Sequence, residues 1–348
     1  SMLDTELLDT VRYNCNVSDA NYWGYFSLCS LLLRLRELFK IERNLEPWDS
    51  VKNEEIFPWI EKKENTWKEL ENASLTPVSL NGNSYSPFDI DGINNYLVNN
   101  GFVYGAGYAL FMKPSFFIGT INRFEKIDGY NVYVVDKEIL RDIFSSPGMS
   151  LGKTVYIRLT DIKYRLWENI HSWLRKKGHI YEFILSKFNH PSDWHYPFKE
   201  FYSIVDKYSN IVLYHEIAEQ EESLPLWDEI IKECDNSKTE HIIRGIRDFI
   251  ADFSEKGPVY RALVERDKEL LYLYIASQGA YQKKILQPVL SQIEKACSTN
   301  DWENIEQIRT LEFKKWKNNQ EHILELFKLK GFEEVKNLTD KIFEVGLN

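Results

Sequence analysis

Apolar residues recur at helical spacing through the second half of the chain. Three stripes run through Ile162, Leu166, Ile170 and Leu174, through Ile242, Ile246, Phe249 and Phe253, and through Phe332, Val335, Leu338 and Ile342. Steps of three or four residues place side chains on one face of an α-helix. The pattern therefore predicts a C-terminal helical region over 161–348.

Residues 102–135 follow a different pattern, which is rich in β-branched and aromatic side chains. Such side chains favour strands. Asp128–Gly129 separates two of these runs, and this dipeptide is typical of a tight β-hairpin. The segment KTVYIRL at 153–159 predicts a fourth strand. We therefore predict a small antiparallel β-sheet in the region 76–160.

The N-terminal segment 2–75 has helical spacing with interruptions. Residues 3–44 predict two helices with a break between them, and Ser18 is predicted as the N-cap of the second. The Ser-, Asn- and Pro-rich stretch 74–87 predicts a loop. The predicted buried face of the second helix comprises Phe26, Cys29, Leu32, Leu33 and Phe39.

These three regions define the expected fold. It is an α+β fold, predominantly helical, with a small antiparallel β-sheet inserted in the first half. The 348 residues suffice for one large domain or for several smaller ones. We expect the three regions to pack as one compact unit.

Charge and composition exclude several classes of protein. The net charge is −10 and no long basic run offsets it, which argues against nucleic acid as a partner. No apolar run approaches the length of a membrane span, so no membrane partner is expected. The four cysteines lack C-x-x-C spacing, which disfavours a zinc ribbon and fits a reducing, cytoplasmic compartment.

The segment HEIAE at 215–219 carries the strongest chemical motif in the chain. It is the zinc-protease helix motif H-E-x-x-H with glutamate in place of the second histidine. Residues four apart share a helix face, so His215 and Glu219 are candidate ligands of a divalent metal, with Glu216 as a general base or a third carboxylate. The alternative is a structural His–Glu pair at the end of a core helix.

Other motifs have simpler explanations. Gly152-Lys153-Thr154 lacks the glycine spacing of a phosphate-binding loop and is followed by a strand-like run, so we predict a turn. Arg244, Asp248 and Asp252 stand four residues apart, the spacing of a surface ion-pair ladder. His190, Asp193 and His195 lie in a Pro-containing loop that could supply a further metal ligand or a helix cap.

A polar stretch precedes the predicted second helix. Arg12, Asn14, Cys15 and Asp19 are candidates for the wall of the pocket that contains the metal. Cys15 would then lie near a helix start, where the helix dipole favours a thiolate. The alternative is a loop fixed by Asn14 and Asp19, with Cys15 as a small core residue.

Several of these segments resemble an uncharacterised prokaryotic protein family. Its members begin with an R-x-N-C-x-[IV]-S-D-A segment, matched here by RYNCNVSDA, and contain a later HEI[AG]E segment. KPSFFIG, DGYNVYVVDKEILRDIF and MSLGKTVYIR are similar to further blocks of that family. The resemblance spans roughly the first two-thirds of the chain. It implies no assigned activity, cofactor or site residue.

Two functions remain open at this point. One is a metal-dependent enzyme, hydrolytic or redox, that uses the H-E-x-x-E helix. The other is a non-catalytic binding or adaptor protein with an aromatic-rich interaction surface. Candidate residues of that surface are Trp48, Trp59 and Trp67. The substrate or partner would be a small molecule or a protein.

Overall fold

A computed structural model describes residues 3–144, 146–188 and 199–345. The chain divides into two compact units, Ser1–Glu168 and Asn169–Asn348. Within these described ranges the secondary structure is mostly helical and the β-strands lie in the first unit, so the predicted helical α+β class is confirmed. Among the described residues, no helix has both the length and the apolarity to cross a membrane.

The first unit combines helices with two small sheets. In chain order its elements are α1 (Thr5–Tyr22), α2 (Leu28–Glu42), α3 (Asn53–Leu70), β1 (Val78–Leu80), β2 (Asn83–Tyr85), α4 (Ile90–Leu97), β3 (Phe102–Tyr108), β4 (Pro114–Ile127), β5 (Tyr130–Arg141), β6 (Gly148–Leu151), β7 (Thr154–Arg158) and the start of α5 (Leu159–Trp173). Helix α1 packs its apolar face on the larger sheet, so Leu7 and Val11 share a core with Phe116 and Ile118. Burial of this face is the main stabilising contribution expected for such a unit.

The larger sheet has the strand order β3-β4-β5-β7-β6. The predicted hairpin at Asp128–Gly129 is confirmed: both residues have positive φ, 50° and 83°, as a type I′ turn requires. The predicted turn at Gly152 is also confirmed, because it joins β6 to β7.

The expectation of a purely antiparallel sheet is wrong for one pair of strands. Strand β7 runs parallel to β5, with Asn131 opposite Thr154. After β5 the chain reverses into β6, but β6 lies one strand further out. The next reversal returns β7 into the space between them, and two reversals make β7 parallel to β5.

Three predictions for the N-terminal segment are also wrong. Ser18 lies inside α1 and is buried, and Ser27 caps α2 by accepting a hydrogen bond from the Ser30 amide. Cys29, Leu32 and Leu33 are exposed, so most of the predicted buried face of α2 is wrong, although Phe39 is buried as predicted. The predicted loop 74–87 contains the β1–β2 hairpin, because Asn81–Gly82 supplies two positive φ values.

The second unit is helical throughout its described residues. Its elements are the end of α5, α6 (His179–Leu185), α7 (Lys199–Glu222), α8 (Pro225–Glu233), α9 (Ser237–Phe253), α10 (Pro258–Glu265), α11 (Lys268–Ala276), α12 (Ala280–Ser298), α13 (Trp302–Lys330) and α14 (Phe332–Val345). The predicted stripe on α9 is confirmed, since all four of its side chains are buried. Helix α9 packs against α7, and the candidate metal centre lies at this contact.

Candidate metal centre

The HEIAE segment lies near the C-terminal end of α7. Val205, Tyr208 and Val212 form the buried face of this helix, and His215 continues it with 23% of its side chain exposed. The imidazole therefore stands at the border between the helix packing and solvent. This position combines a fixed side chain with access from outside.

Three carboxylates surround the His215 ring. Its Nε2 lies 3.1 Å from a Glu219 oxygen on the next turn and 3.5 Å from an Asp248 oxygen on α9. Its Nδ1 lies 2.6 Å from an oxygen of Asp252, also on α9. One nitrogen thus faces two carboxylates, while the other is engaged by a third.

Asp252 is held in turn by a second buried group. The Tyr274 hydroxyl on α11 donates to the other Asp252 oxygen at 2.9 Å. Asp252 and Tyr274 are both buried, so neither side chain has room to rotate. The chain Tyr274–Asp252–His215 fixes the imidazole and directs its Nε2 toward Glu219 and Asp248.

The ionisable groups at this site shift one another's pKa values. Burial by itself would lower the pKa of His215, but the charge and hydrogen bond of Asp252 raise it well above its usual range. Burial raises the pKa of Asp248 to about 7, and the charges of Glu219 and Asp252 add to this effect. Burial acts to raise the pKa of Glu219, but the hydrogen bond and charge of His215, together with the charges of Arg247 and Arg244, lower it to about 2.

Two further groups border the site. Glu216 is buried, and one of its oxygens lies within 4.8 Å of ligand atoms of His215 and Glu219. Arg247 approaches Glu219 at 3.8 Å and Asp228 at 3.7 Å. Both distances exceed a direct hydrogen bond, so Arg247 offsets only part of the negative charge.

This arrangement resembles a metal site in which a further carboxylate orients the histidine ligand. A metal-bound histidine commonly donates its other ring N–H to a carboxylate, which fixes the ring and its tautomer. Asp252 occupies that position on His215. The His215 Nε2 and the oxygens of Glu219 and Asp248 offer a mixed nitrogen and oxygen ligand set, which suits zinc and related divalent ions.

The expectation of a surface ion-pair ladder on α9 is wrong. Arg244 pairs with Glu240, whereas Asp248 and Asp252 face His215 across the helix contact. The sequence carries a weak signal for this arrangement. Asp248 and Asp252 stand at the edge of the buried stripe of α9. A residue at the edge of such a stripe faces a neighbouring helix more often than open solvent.

The four pocket candidates of the N-terminal segment lie in the first unit, inside α1. Asn14 exchanges two hydrogen bonds with Thr76, whereas Asp19 binds Lys113 at 3.0 Å. Arg12 is exposed, so these residues do not share one set of contacts.

The predicted reactivity of Cys15 has no structural basis. Cys15 lies in the interior of α1 and not at a helix start, and its thiol is directed at the Phe116 carbonyl oxygen. Burial raises its pKa well above the usual range, with the charges of Asp142 and Asp19 adding to the effect. The alternative of a small core residue describes Cys15.

The remaining sequence candidates have mixed outcomes. Trp67 is buried, and Trp48 and Trp59 are half-buried. None of the three is therefore a freely exposed contact residue. His190, Asp193 and His195 lie outside the described residues.

Comparison with known proteins places both units in one family. Residues 6–158 match the N-terminal domain, and residues 163–345 the C-terminal domain, of a family of unknown function, DUF6866. No curated protein and no solved structure matches the chain. The two domain matches together span most of the sequence, and the resemblance to an uncharacterised family is consistent with them. The chain therefore belongs to the DUF6866 family and contains both of its domains.

Proposed function

We propose that this protein is a metal-dependent enzyme, hydrolytic or redox, whose C-terminal domain holds a divalent cation between α7 and α9. His215 and Glu219 are the ligands proposed from the sequence, and Asp248 joins them as a third. Asp252 orients the imidazole from behind, and Tyr274 holds Asp252. The observation that carries the proposal is the different surroundings of the two ring nitrogens of His215. Its Nε2 faces two carboxylates, while its Nδ1 is fixed by a third.

Glu216 is proposed as the general base. Its carboxylate lies within 4.8 Å of ligand atoms of His215 and Glu219, and with Asp248 as the third ligand we assign Glu216 the role of proton acceptor. A divalent cation lowers the pKa of a bound water, and a neighbouring carboxylate can then accept its proton. Glu216 would therefore affect turnover more than metal affinity.

A metal-binding measurement tests this proposal directly. The protein is stripped with a chelator and titrated with Zn²⁺, Mn²⁺ and Mg²⁺, and both metal content and melting temperature are recorded. We expect one ion per chain and a higher melting temperature in at least one titration, because a ligand that binds only the folded state stabilises it. His215→Gln and Asp248→Asn should each abolish that increase.

The matched control is Asp206→Asn. Asp206 is an exposed aspartate on the same helix as His215, two turns before it, and it makes no described contact with the site. Its variant should retain the metal response. A wild-type protein that neither retains nor responds to any of the three ions would contradict the proposal.

One observation favours the second candidate, a non-catalytic binding protein. Tyr25, Leu28 and Leu32 are exposed at 57%, 71% and 49% on the segment that begins α2. Exposed apolar groups at such density often mark protein contacts. A second copy of this chain is the partner most readily tested. Sedimentation should then show a dimer that Leu28→Ser with Leu32→Ser converts to a monomer.

A further inference from the structure

The first unit contains a cleft that is separate from the metal centre. It has a volume of about 440 Å³ and opens between α1, α2, α3 and the end of β5. We call it the basic cleft, and its polar wall is formed by Arg12, Asn16, Glu42, Lys62 and Lys63. The volume falls within the range of small-molecule sites.

Positive groups outnumber negative ones on this wall. Arg141, the last residue of β5, also lines the cleft. With it the lining has four cationic residues and one carboxylate, that of Glu42. Two of the four are already neutralised. Lys63 binds Glu42 at 2.9 Å, and Arg141 binds Asp161 at 2.5 Å. The charges that remain for a ligand are those of Arg12 and Lys62.

The side chains of Arg12 and Lys62 have few ionic contacts with described residues of the protein. The nearest acid to Arg12 is Asp9 at 3.5 Å, and both side chains are more than half exposed, so the pair contributes little. Within the described part of the chain, the Lys62 ammonium group has no ion pair. The Asn16 amide likewise has no hydrogen-bond partner there. Three polar groups on one wall are thus available to a bound anion.

Apolar side chains also line the cleft. Trp59 lies there with Ile41 and Leu140. The indole is fixed in place, because its Nε1 donates to Glu42 at 2.8 Å and its ring packs edge-on against Phe39. A rigid aromatic wall offers contact area to the organic part of a ligand at low entropic cost.

We propose that the basic cleft binds a small organic phosphate. A phosphate monoester carries between one and two negative charges at neutral pH, which matches one unpaired and one weakly paired cation better than a monocarboxylate does. Arg12 and Lys62 contact the phosphate, and Asn16 donates to one of its oxygens. The organic part lies against Trp59, whose neighbours Ile41 and Leu140 exclude water.

Isothermal titration calorimetry tests the assignment with three probes: adenosine monophosphate, glucose 6-phosphate and inorganic phosphate. A chelator is present throughout, so the result is independent of any metal. We expect saturable binding of at least one organic phosphate, weakened by added salt because the contacts are partly exposed. Inorganic phosphate should bind about tenfold more weakly, since it makes no contact with Trp59.

Variants of exposed residues locate the site. Arg12→Gln and Lys62→Gln should each weaken the organic phosphate about tenfold, as expected for a lost charged hydrogen bond. Lys68→Gln is the matched control, because Lys68 is exposed on the same helix and does not line the cleft. Absence of saturable binding by both organic phosphates would overturn the assignment. Equal binding of inorganic phosphate, or equal weakening by Lys68→Gln, would also overturn it.

Discussion

The Nδ1 of His215 lies 2.6 Å from an oxygen of Asp252, and the two residues come from different helices. This contact joins α7 to α9 and determines which ring nitrogen faces the proposed metal. Substitution of Asp252 should therefore weaken metal binding, whereas substitution of a metal ligand should abolish it. Asp252→Asn keeps the volume and a hydrogen bond but removes the charge behind the ring. We expect metal affinity to fall about 10- to 100-fold, as for other carboxylates behind a metal-bound histidine.

Calorimetric titration with the preferred ion measures this loss. Tyr274→Phe removes only the hydroxyl that holds Asp252, so its effect should be in the same direction and smaller. Asp206→Asn again provides the unaffected control on α7. If Asp252→Asn bound the ion as tightly as the wild type, the orienting role of Asp252 would be refuted while the ligands remained untested by that variant.

A second prediction concerns the buried charges beneath α1. Lys113 binds Asp19 at 3.0 Å and Asp142 at 2.6 Å, and all three side chains are buried. Lys113→Met leaves two carboxylates close together without a counter-charge. Removing one partner of a buried ion pair costs about 3–5 kcal/mol. We expect a loss of that size in the free energy of unfolding, measured by urea denaturation.

A double variant separates charge from packing. Lys113→Met combined with Asp142→Asn removes one of the stranded carboxylates and should recover part of the lost stability. Lys137→Met serves as the control, because Lys137 is exposed on the same sheet and its change should stay within about 0.5 kcal/mol. A loss from Lys113→Met no larger than this control would contradict the prediction.

Thiol reactivity provides a third prediction. Cys29 is exposed, whereas Cys15 and Cys297 are buried. Burial raises the pKa of Cys297 to about 11, and burial together with Glu240 raises that of Cys234 to about 12. Because the thiolate is the reactive form, Cys29 should react first with iodoacetamide in the folded protein.

Peptide mass spectrometry over time resolves the four sites. Cys29→Ser should remove the fast phase, and urea should make the remaining thiols reactive. Rapid labelling of Cys15 in the folded protein would restore the case for a reactive cysteine in the N-terminal segment.

The sequence predicts the helices and the strand region well where one periodic face is buried. The α9 stripe, the Asp128–Gly129 hairpin and the turn at Gly152 all depend on local patterns, and the structure contains each of them. The same local pattern cannot show what lies opposite a helix. Asp248 and Asp252 therefore have the spacing of a surface ladder, although the facing residue is His215 on α7.

The N-terminal error has the same physical origin. Asn14, Ser18 and Asp19 favour caps and turns by local hydrogen bonding. In the structure their side chains bind backbone groups of Thr76, Pro114 and Ile143, which are 62 to 124 residues away in sequence. Such distant partners allow polar residues inside a buried helix, and one sequence without aligned homologues gives no signal for them.

The last prediction concerns the pH dependence of stability. Glu37 on α2 is buried beside Arg34, with 2.6 Å between their charged groups. Burial raises the pKa of Glu37 from 4.5 to about 7; Arg34 opposes this rise and the charge of Asp161 adds to it. Between these pH values the folded state holds a proton that the unfolded state has released. The contribution of Glu37 to stability therefore declines as pH rises from about 4.5 to 7 and stays low above that.

Glu37→Gln removes this dependence, because glutamine does not ionise and still accepts a hydrogen bond from Arg34. At pH 8 the variant should be more stable than the wild type by about 3 kcal/mol, since the pKa rises from 4.5 to about 7 and one pKa unit corresponds to about 1.4 kcal/mol. Near pH 4.5 the two proteins should unfold at the same urea concentration. Glu64→Gln, at an exposed position on α3, controls for the change in net charge and should follow the wild type at both pH values. An equal difference between Glu37→Gln and wild type at pH 4.5 and pH 8 would show that packing, and not ionisation of Glu37, causes the effect.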